Sequence, residues 1–158
     1  MTTSAVSAPV GVGDRAPSFD LITADGEHVT LEGLLARGPL VLYFYPKDQT
    51  PGCTAEACSF RDAYGAFTDA GAQVLGVSSD DAESHKRFAE RHRLPFPLAS
   101  DPGGAVRKRY GIAKTLGLLP GRVTYVIDRE GIIRLAFRSQ FAPQKHIDEA
   151  LAALRALA

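Results

Sequence analysis

The chain has 158 residues, of which 45% are hydrophobic and 23% charged, the composition of an ordinary globular domain. Its 18 basic and 18 acidic residues balance, so we expect neither nucleic acid nor an anionic membrane as a partner. No apolar run approaches the ~20 residues that cross a bilayer. Residues 1–12 contain neither Lys nor Arg, which predicts a flexible tail rather than a signal peptide.

The first half of the chain alternates between β-forming and helix-forming segments. Strand-like segments flank the turn dipeptide Asp25-Gly26, which predicts a β-hairpin. After a short helical turn, residues 40–46 form a continuous apolar run, LVLYFYP, which is typical of a strand buried on both faces. A single helix is then predicted from Pro51 to Ala70, because a glycine follows as a stop signal.

The second half continues the same alternation. Its segments, in chain order, are a buried strand at 72–79, a charged helix at 80–93, a helical segment at 103–111, a loop at 112–122, a hairpin at 123–138 and an amphipathic closing helix. Strands separated by helices predict a largely parallel sheet with both faces covered. We therefore expect an α/β, thioredoxin-like fold, in which helices flank a central mixed sheet with an N-terminal hairpin extension. Residues 13–158 are predicted to form this single domain.

Both cysteines of the chain, Cys53 and Cys58, lie near the start of the predicted helix. If that helix begins near Pro51, Cys53 occupies its first turn, where unpaired N–H groups and the helix dipole stabilise a thiolate. Thiol pKa values in such positions fall from ~8.5 to ~3.5–7.5. The Thr50 hydroxyl can donate to the thiolate or to a bound oxygen, or can cap the helix. Pro46 can shield the sulfur or simply end the strand. The segment predicts an activated nucleophile that needs no metal.

The residues Pro46, Thr50 and Cys53 form the pattern P-x-x-x-T-x-x-C directly after YFY. This pattern resembles the active site of the peroxiredoxins. The resemblance continues through GCTAEACSFRD, GVSSDDAESHKRFAERHRLPFPLASD and GRVTYVIDREGIIR. Because Cys58 follows Cys53 by five residues, the chain is most similar to the peroxiredoxin Q group, also called bacterioferritin comigratory proteins. The resemblance implies a thiol peroxidase that reduces hydrogen peroxide and organic hydroperoxides without a cofactor.

The resemblance also implies a role for each matching residue. Cys53 is expected to be the peroxidatic cysteine, whose thiolate attacks the O–O bond and becomes a sulfenic acid. Thr50 is expected to hydrogen-bond the peroxide, and Pro46 to shield the nucleophile. Arg122 is expected to stabilise the thiolate and the departing oxygen, since a fixed cation lowers the pKa of a neighbouring thiol.

Two further residues have a place in the expected site. The backbone N–H groups of Gly52 and Cys53 would help to hold the peroxide oxygens. Glu56 could orient an arginine. Without the resemblance, Arg122 would be interpreted as a surface charge.

Cys58 is expected to be the resolving cysteine. In an intact helix, residues five apart lie ~8–9 Å from each other at Cα and differ by ~140° in direction. A disulfide needs a Cα separation of ~4.4–6.8 Å. We therefore expect residues around 53–60 to unwind locally before Cys58 forms an intramolecular disulfide with Cys53. Thioredoxin or a similar dithiol protein would then reduce this disulfide. Taken without its neighbours, Cys58 is as readily explained as a small buried hydrophobe.

Two other functions remain open at this point. A thioredoxin-type disulfide oxidoreductase is disfavoured, because it would need C-x-x-C and the chain has C-x-x-x-x-C. A non-enzymatic peroxide sensor or holdase would pass its oxidation to a partner.

The chain also lacks the GGLG segment and the C-terminal YF motif of readily overoxidised peroxiredoxins. We therefore expect resistance to sulfinic acid formation.

The four histidines are not expected to bind a metal. His85 and His92 lie two turns apart on one predicted helix, roughly 10 Å, which is too far for one ion. We expect both to be solvated. His28 and His146 have no partners at ligand spacing.

Partners and location follow from the same observations. Two cysteines without a signal peptide favour the reducing cytoplasm. We expect a monomer, with a dimer as the alternative, because the peroxiredoxin Q group resembles monomers more often than larger assemblies. The expected partners are a hydroperoxide and a dithiol reductant.

Overall fold

The computed structural model describes residues 9–112, 121–139 and 142–157. Its elements, in chain order, are β1 (Asp20–Thr23), β2 (His28–Thr30), α1 (Leu31–Leu35), β3 (Leu40–Phe44), α2 (Pro51–Asp62), α3 (Tyr64–Asp69), β4 (Gln73–Ser78), α4 (Ala82–His92), β5 (Leu98–Ser100), a 3₁₀ turn (Pro102–Gly104), α5 (Ala105–Arg109), β6 (Val123–Ile127), β7 (Ile133–Arg138) and α6 (Pro143–Leu157). Most of the predicted tail and of the predicted loop at 112–122 lies outside these ranges. None of the helices described has the length and apolar character needed to cross a membrane.

Seven strands of the described residues form one mixed sheet in the order β2-β1-β5-β4-β3-β6-β7. The central strands β3, β4 and β5 run parallel, with Val41 opposite Val74 and Val77 opposite Ala99. Strand β6 pairs antiparallel with β3, and β7 pairs antiparallel with β6. The β1–β2 hairpin extends the other edge by antiparallel pairing with β5. The predicted mixed sheet and both predicted hairpins are confirmed. The expectation of a largely parallel sheet is wrong, because four of the six pairings between the described strands are antiparallel.

Strand β3 is buried along its whole length because helices cover both faces of the sheet. Leu42 and Phe44 point to one face, where they pack in a cluster with residues of α1 and α5. Val41 and Tyr43 point to the other face, where α2, α3, α4 and α6 pack. This two-sided burial explains why the strand is a continuous apolar run rather than an alternating one.

The helix predicted at 51–70 is two helices, α2 and α3, with a break at Ala63. Ala63 has φ −95° and ψ 5°, outside the α-helical range. Phe60 of α2 and Phe67 of α3 enter the same buried aromatic cluster, with ring centroids 5.5 Å apart. Seven residues of uninterrupted helix rise about 10.5 Å along the axis. The two ring centroids lie closer together than this rise, on either side of the break at Ala63.

Helix α4 has the predicted polarity, with an acidic residue in its first turn and basic residues in its last. Asp81 caps its N-terminus by accepting a hydrogen bond from the Ser84 backbone N–H. The prediction that His85 is solvated is wrong, because its side chain is fully buried where α4 packs on the sheet. His92 is half-buried. The many charged residues of α4 hide the fact that one side of this helix is buried, and both His85 and Phe88 lie on that side.

Candidate active site

The segment that carries the predicted nucleophile connects β3, in the middle of the sheet, with α2. Thr50 occupies the N-cap position of α2, and Pro51 is the first helical residue, where a missing N–H does no harm. Cys53 therefore lies in the first helical turn, as predicted, and its side chain is buried, at 1% exposure. Pro46 is half-buried just after the end of β3.

Thr50 makes a hydrogen bond that differs from the one expected. Its Oγ1 donates to the Lys47 carbonyl oxygen at 2.8 Å, and its side chain does not cap the helix. Because its only proton is used there, the hydroxyl can offer lone pairs to a bound hydroperoxide rather than donate to the thiolate. Gln49, the residue before it, has a left-handed φ of 64°, which turns the chain into the helix.

Arg122 contacts both Cys53 and Glu56. Its Nη2 donates to the Cys53 Sγ at 3.3 Å, and its Nη1 donates to the Glu56 Oε1 at 2.6 Å. Arg122 is buried, so it is not the surface charge that the sequence alone would suggest. Burial by itself would lower the pKa of Arg122, but the charges of Glu56 and Cys53 outweigh that effect and raise it.

Gly52 makes room for this arginine. A Cβ atom at Gly52 would lie 3.0 Å from the Arg122 Nη2. Such a distance is shorter than ordinary contact, so a side chain here would push the guanidinium away. The backbone N–H groups of Gly52 and Cys53 belong to the first turn of α2, where no side chain caps the helix. They are available to a bound oxygen.

Glu56 lies between Arg122 and a buried histidine. Desolvation raises the pKa of Glu56 to about 7, against the opposing effect of Arg122. Its Oε2 has no hydrogen-bond partner among the described residues and lies 3.4 Å from the His146 Nδ1. His146 is fully buried, with its Nδ1 2.7 Å from the Thr124 Oγ1 and its Nε2 2.8 Å from the Ser139 carbonyl oxygen. Desolvation lowers the pKa of His146 to about 4.

A second buried cluster anchors the loop between β3 and α2. The Asp48 Oδ2 lies 2.7 Å from the His85 Nδ1 and accepts a hydrogen bond from the Ser84 hydroxyl at 2.9 Å. The Tyr45 hydroxyl donates to the Asp48 Oδ1, and the Asp48 backbone N–H donates to Asp80 at 2.8 Å. These contacts fix the loop that carries Pro46 and Thr50 against α4.

Asp48, Asp80 and His85 could also be considered as metal ligands. They offer ligand atoms that all lie within 4.8 Å of one another. However, both carboxylate oxygens of Asp48 and the Nδ1 of His85 are already engaged in the hydrogen bonds of the cluster. We therefore assign the cluster to loop anchoring.

Arg107 joins the two segments that carry Pro46 and Arg122. Its Nη2 donates to the Tyr45 carbonyl oxygen at 2.9 Å and its Nη1 to the Gly121 carbonyl oxygen at 2.5 Å. Burial lowers its pKa to about 10, so it remains a cation at neutral pH. The sequence gives no signal for this role, because the partners are backbone carbonyls 62 and 14 residues away.

Cys58 lies in the same uninterrupted helix as Cys53 and carries a free thiol, as Cys53 does. Its side chain is half-buried. Two residues five apart in an intact helix are ~8–9 Å apart at Cα, beyond the reach of a disulfide.

Comparison with known proteins gives the family. The model of the AhpC/TSA family matches residues 12–136. Peroxiredoxin Q of Suaeda salsa, a chloroplastic protein, is 49% identical over 155 residues, which cover 98% of this chain and 72% of that protein. Peroxiredoxin Q of Sedum lineare, also chloroplastic, is 48% identical and the match covers 98% of this chain and 83% of that protein. These relatives do not support the expected cytoplasmic location, which stays a prediction.

Solved structures agree with this result. Peroxidoxin BcpB of Mycobacterium tuberculosis superposes with a TM-score of 0.88 at 39% identity and covers 94% of this chain and 99% of its own. A bacterioferritin comigratory protein of Xanthomonas campestris, whose structures were used to study its alkyl peroxide reduction activity, superposes with a TM-score of 0.79 at 35% identity. The match covers 98% of this chain and 99% of that protein. The predicted thioredoxin-like fold is confirmed. The chain therefore belongs to the AhpC/TSA family and, within it, to the peroxiredoxin Q group, and it is a peroxidase.

Proposed function

We propose that this peroxidase reduces hydrogen peroxide and organic hydroperoxides through a sulfenic acid on Cys53. In this proposal Cys58 resolves the sulfenic acid as an intramolecular disulfide, and thioredoxin or a similar dithiol protein reduces that disulfide. The observation that carries the proposal is the hydrogen bond from Arg122 to the buried Cys53 sulfur, at the start of a helix. A cation and a helix N-terminus both stabilise a thiolate, which is the nucleophilic form of cysteine.

In the first step, the Cys53 thiolate attacks the terminal oxygen of the hydroperoxide. An S–O bond forms as the O–O bond breaks, sulfur loses two electrons, and the alkoxide or hydroxide that leaves takes up one proton. Arg122 faces the negative charge both before and after its transfer from sulfur to oxygen. The free N–H groups of Gly52 and Cys53 hold the peroxide oxygens, and Thr50 accepts a hydrogen bond from the hydroperoxide. Activity of the Xanthomonas campestris relative towards alkyl peroxides supports the organic hydroperoxides as substrates.

In the second step, the Cys58 thiolate attacks the Cys53 sulfur. The S–S bond forms as the S–O bond breaks, and the hydroxide that leaves takes up a proton to become water. This step requires the first part of α2 to unwind, because an intact helix keeps the two sulfurs apart. The N-terminus of α2 lacks a side-chain cap, which favours opening from that end.

The later part of α2 has contacts that favour its staying folded. Phe60 is fully buried and stacks on Tyr43 with ring centroids 4.5 Å apart. The Arg61 Nη1 donates to the His92 carbonyl oxygen at 2.8 Å. We therefore propose that unwinding involves residues 53–59 and stops before Phe60.

The cycle closes when a dithiol protein supplies two electrons and two protons to the disulfide. Overall, a hydroperoxide and a dithiol become an alcohol, water and a disulfide. Because both reacting cysteines belong to one chain, the mechanism is complete in a monomer, which we propose as the active form. We propose the cytoplasm as the location, because both thiols must be reduced between turnovers.

An assay with thioredoxin, thioredoxin reductase and NADPH tests the function. We expect NADPH oxidation that depends on peroxide and that Cys53→Ser abolishes. Cys58→Ser should complete one oxidation and then stall, or depend on added thiols. Intact-mass analysis after one equivalent of peroxide should show the loss of two hydrogen atoms, with a peptide joining Cys53 to Cys58. Normal cycling of Cys58→Ser with thioredoxin would refute the two-cysteine mechanism.

Two other outcomes would support the alternative functions, a disulfide oxidoreductase or a peroxide sensor. Reduction of insulin without peroxide turnover would identify a disulfide oxidoreductase. Stoichiometric oxidation that no dithiol reverses would identify a sensor.

A further inference from the structure

The buried polar groups of the site extend beyond the arginine, as far as α6. Arg122 bridges the Cys53 sulfur and Glu56, and the other oxygen of Glu56 faces His146. His146 in turn contacts Thr124 of β6. Glu56 and His146 are both fully buried. A continuous row of polar side chains therefore runs from the reactive sulfur, through α2, to α6.

The protonation of this row is constrained by geometry. The Nε2 of His146 faces the Ser139 carbonyl oxygen at 2.8 Å, so this nitrogen must carry a hydrogen. In a neutral ring the Nδ1 is then an acceptor, and the Thr124 hydroxyl at 2.7 Å can donate to it. The Glu56 Oε2 lies 3.4 Å from the same nitrogen, is an acceptor when the carboxyl group is ionised, and has no hydrogen-bond partner among the described residues. A buried carboxylate oxygen that meets no donor and faces the lone pair of a neutral imidazole is costly, unless a proton lies between the two groups.

A count of charges gives this proton a function. With Cys53 as a thiol, the Arg122 cation and the Glu56 carboxylate cancel. Ionisation of Cys53 adds one negative charge to a site from which water is excluded, and buried net charge is costly. One proton on Glu56 or His146 restores neutrality.

We propose that Glu56 and His146 share one proton across the α2–α6 interface, and that this proton balances the charge of the Cys53 thiolate. His146 is then a positioning residue of the peroxidase reaction, which acts through Glu56 and Arg122. This inference rests on the proposed role of Cys53 as the reacting sulfur. The raised pKa of Glu56, about 7, and the lowered pKa of His146, about 4, place the proton on the carboxyl group.

Other titratable groups near the pair leave this balance intact. Tyr43 of β3 faces Glu56, and burial raises the pKa of its hydroxyl, so it stays neutral. Arg107 of α5 acts on Cys53 and Arg122 and remains a cation whether or not the thiol ionises, but it does not enter the charge count, because the buried Asp101 is the opposite charge that acts on it most strongly. The Phe137 ring of β7 packs edge-on against His146, with centroids 4.8 Å apart, and carries no charge. On α6 itself the nearby charged residues are the exposed Lys145 and Asp148 and the half-buried Glu149.

The proposal has a consequence for the first step. When the Cys53 thiolate becomes a neutral sulfenic acid, the shared proton is in excess, while the alkoxide that leaves lacks one. The site therefore releases one proton as the product alcohol gains one, through solvent, and the proton count of the step is zero.

Two substitutions with opposite expected effects test the proposal. In a Cys58→Ser background, the rate of Cys53 alkylation by iodoacetamide is measured against pH, and its midpoint reports thiolate formation. Glu56→Gln is permanently neutral at this position, so we expect the midpoint to fall. His146→Gln can turn an amide N–H towards the Glu56 carboxylate, which removes the need for the proton. The thiolate then faces an uncompensated carboxylate, so we expect the midpoint to rise by about one pH unit, a tenfold lower thiolate fraction.

The controls separate this role from packing. Ile147→Val changes a buried neighbour on α6 without removing a titratable group, so its midpoint should stay at the value of the background protein. In the Glu56→Gln background, His146→Gln should have no further effect on the midpoint. The proposal is overturned if both glutamine variants raise the midpoint, or if neither moves it.

A reciprocal measurement does not depend on variants at Glu56 or His146. Carboxyl carbon NMR follows the titration of Glu56 in Cys58→Ser and in Cys53→Ser/Cys58→Ser. Because linkage is reciprocal, loss of the thiolate should lower the midpoint of Glu56. An unchanged midpoint would overturn the proposal. Both experiments measure ionisation and need no turnover. A negative result in them would refute the shared proton alone, whereas peroxidase activity that survives Cys53→Ser would refute the proposed function.

Discussion

The Arg122 guanidinium donates to the Cys53 sulfur at 3.3 Å, although 69 residues separate the two in the sequence. The same guanidinium donates through its other terminal nitrogen to Glu56 at 2.6 Å. Arginine can make both contacts at once because its donors are fixed in a planar fork. The pocket therefore depends on the shape of this cation as well as on its charge.

Substitution of Arg122 by lysine should separate these two properties. The ammonium group of lysine keeps the charge but cannot hold Glu56 and face Cys53 in the same planar geometry. We expect the second-order rate constant for peroxide to fall by about 10²–10³-fold, roughly 3–4 kcal/mol of transition-state stabilisation. Stopped-flow measurement of the first oxidation checks this. Arg87→Lys, at an exposed arginine on α4, should leave the rate unchanged. A loss below threefold for Arg122→Lys would contradict the assignment.

Gly52→Ala should weaken catalysis without unfolding the protein. The new Cβ would lie 3.0 Å from the Arg122 Nη2, so this nitrogen, which also donates to the Cys53 sulfur, must shift by a few tenths of an ångström. We expect at least a tenfold slower reaction with peroxide, about 1.4 kcal/mol. Gly65→Ala is the matched control, because a Cβ there meets nothing within 4 Å. In that helical position alanine should raise stability by about 0.5–1 kcal/mol and leave the rate unchanged. Equal rates for the two variants would refute the proposed need for glycine at Gly52.

Oxidation should unwind the first part of α2. We expect a measurable loss of helical circular dichroism when one equivalent of peroxide is added to the wild-type protein. Amide hydrogen exchange should accelerate in residues 53–59 and remain slow at Phe60, which is held in the aromatic cluster. Cys58→Ser should form the sulfenic acid and keep its helical signal. A confirmed Cys53–Cys58 disulfide with unchanged helicity would contradict the unwinding.

Cys53 should resist overoxidation under turnover conditions. Residues 1–158 contain no GGLG segment, which the resemblance to the peroxiredoxins associates with sensitivity to overoxidation. We expect unwinding to be fast enough for Cys58 to capture the sulfenic acid before a second peroxide reaches it. Mass spectrometry with thioredoxin present should find no sulfinic acid at modest peroxide. Addition of two oxygen atoms to Cys53 under those conditions would refute this expectation, and Cys58→Ser should show that addition readily.

The sequence predicted the secondary structure wherever local signals agreed. The buried run of β3, the two hairpins and the cap and charge pattern of α4 each follow from periodicity or turn chemistry. The break at Ala63 was missed, because it lies inside a segment whose local pattern is helical on both sides. No glycine or proline marks that position itself.

The local part of the candidate site was predictable and the distant part was not. Thr50 and Cys53 lie within one short motif, so their proximity follows from the chain itself. Arg122 was expected only through family resemblance, since a single arginine before a strand carries no signal of its own. His146 and His85 find their partners on other elements, so their spacing in the sequence could not indicate burial.

The Glu56–His146 pair should also control how stability depends on pH. His146 has a folded pKa of about 4 against an ordinary 6.5, so the stability it contributes is present above pH 6.5 and is lost as the pH falls. Glu56 has a folded pKa of about 7 against an ordinary 4.5, so its contribution is present below pH 4.5 and is lost as the pH rises. Between pH 4.5 and 6.5 the folded and the unfolded state each hold one proton on these two groups. In this range the pair therefore adds no pH dependence to the free energy of unfolding.

Glu56→Gln removes the carboxyl group that holds the proton in the folded protein, so the pH dependence due to His146 is no longer offset. Between pH 6.5 and 4.5 the unfolded variant binds a proton on His146 that the folded variant does not, so its stability should fall with falling pH. The gap to the wild type should widen by at most about 1.4 kcal/mol per pH unit. Urea unfolding of the reduced proteins across this range measures the gap. Glu90→Gln, at an exposed carboxylate of α4, is the control for loss of a carboxylate outside the buried pair. A constant or narrowing gap for Glu56→Gln would show that the two groups do not hold one proton in the folded protein.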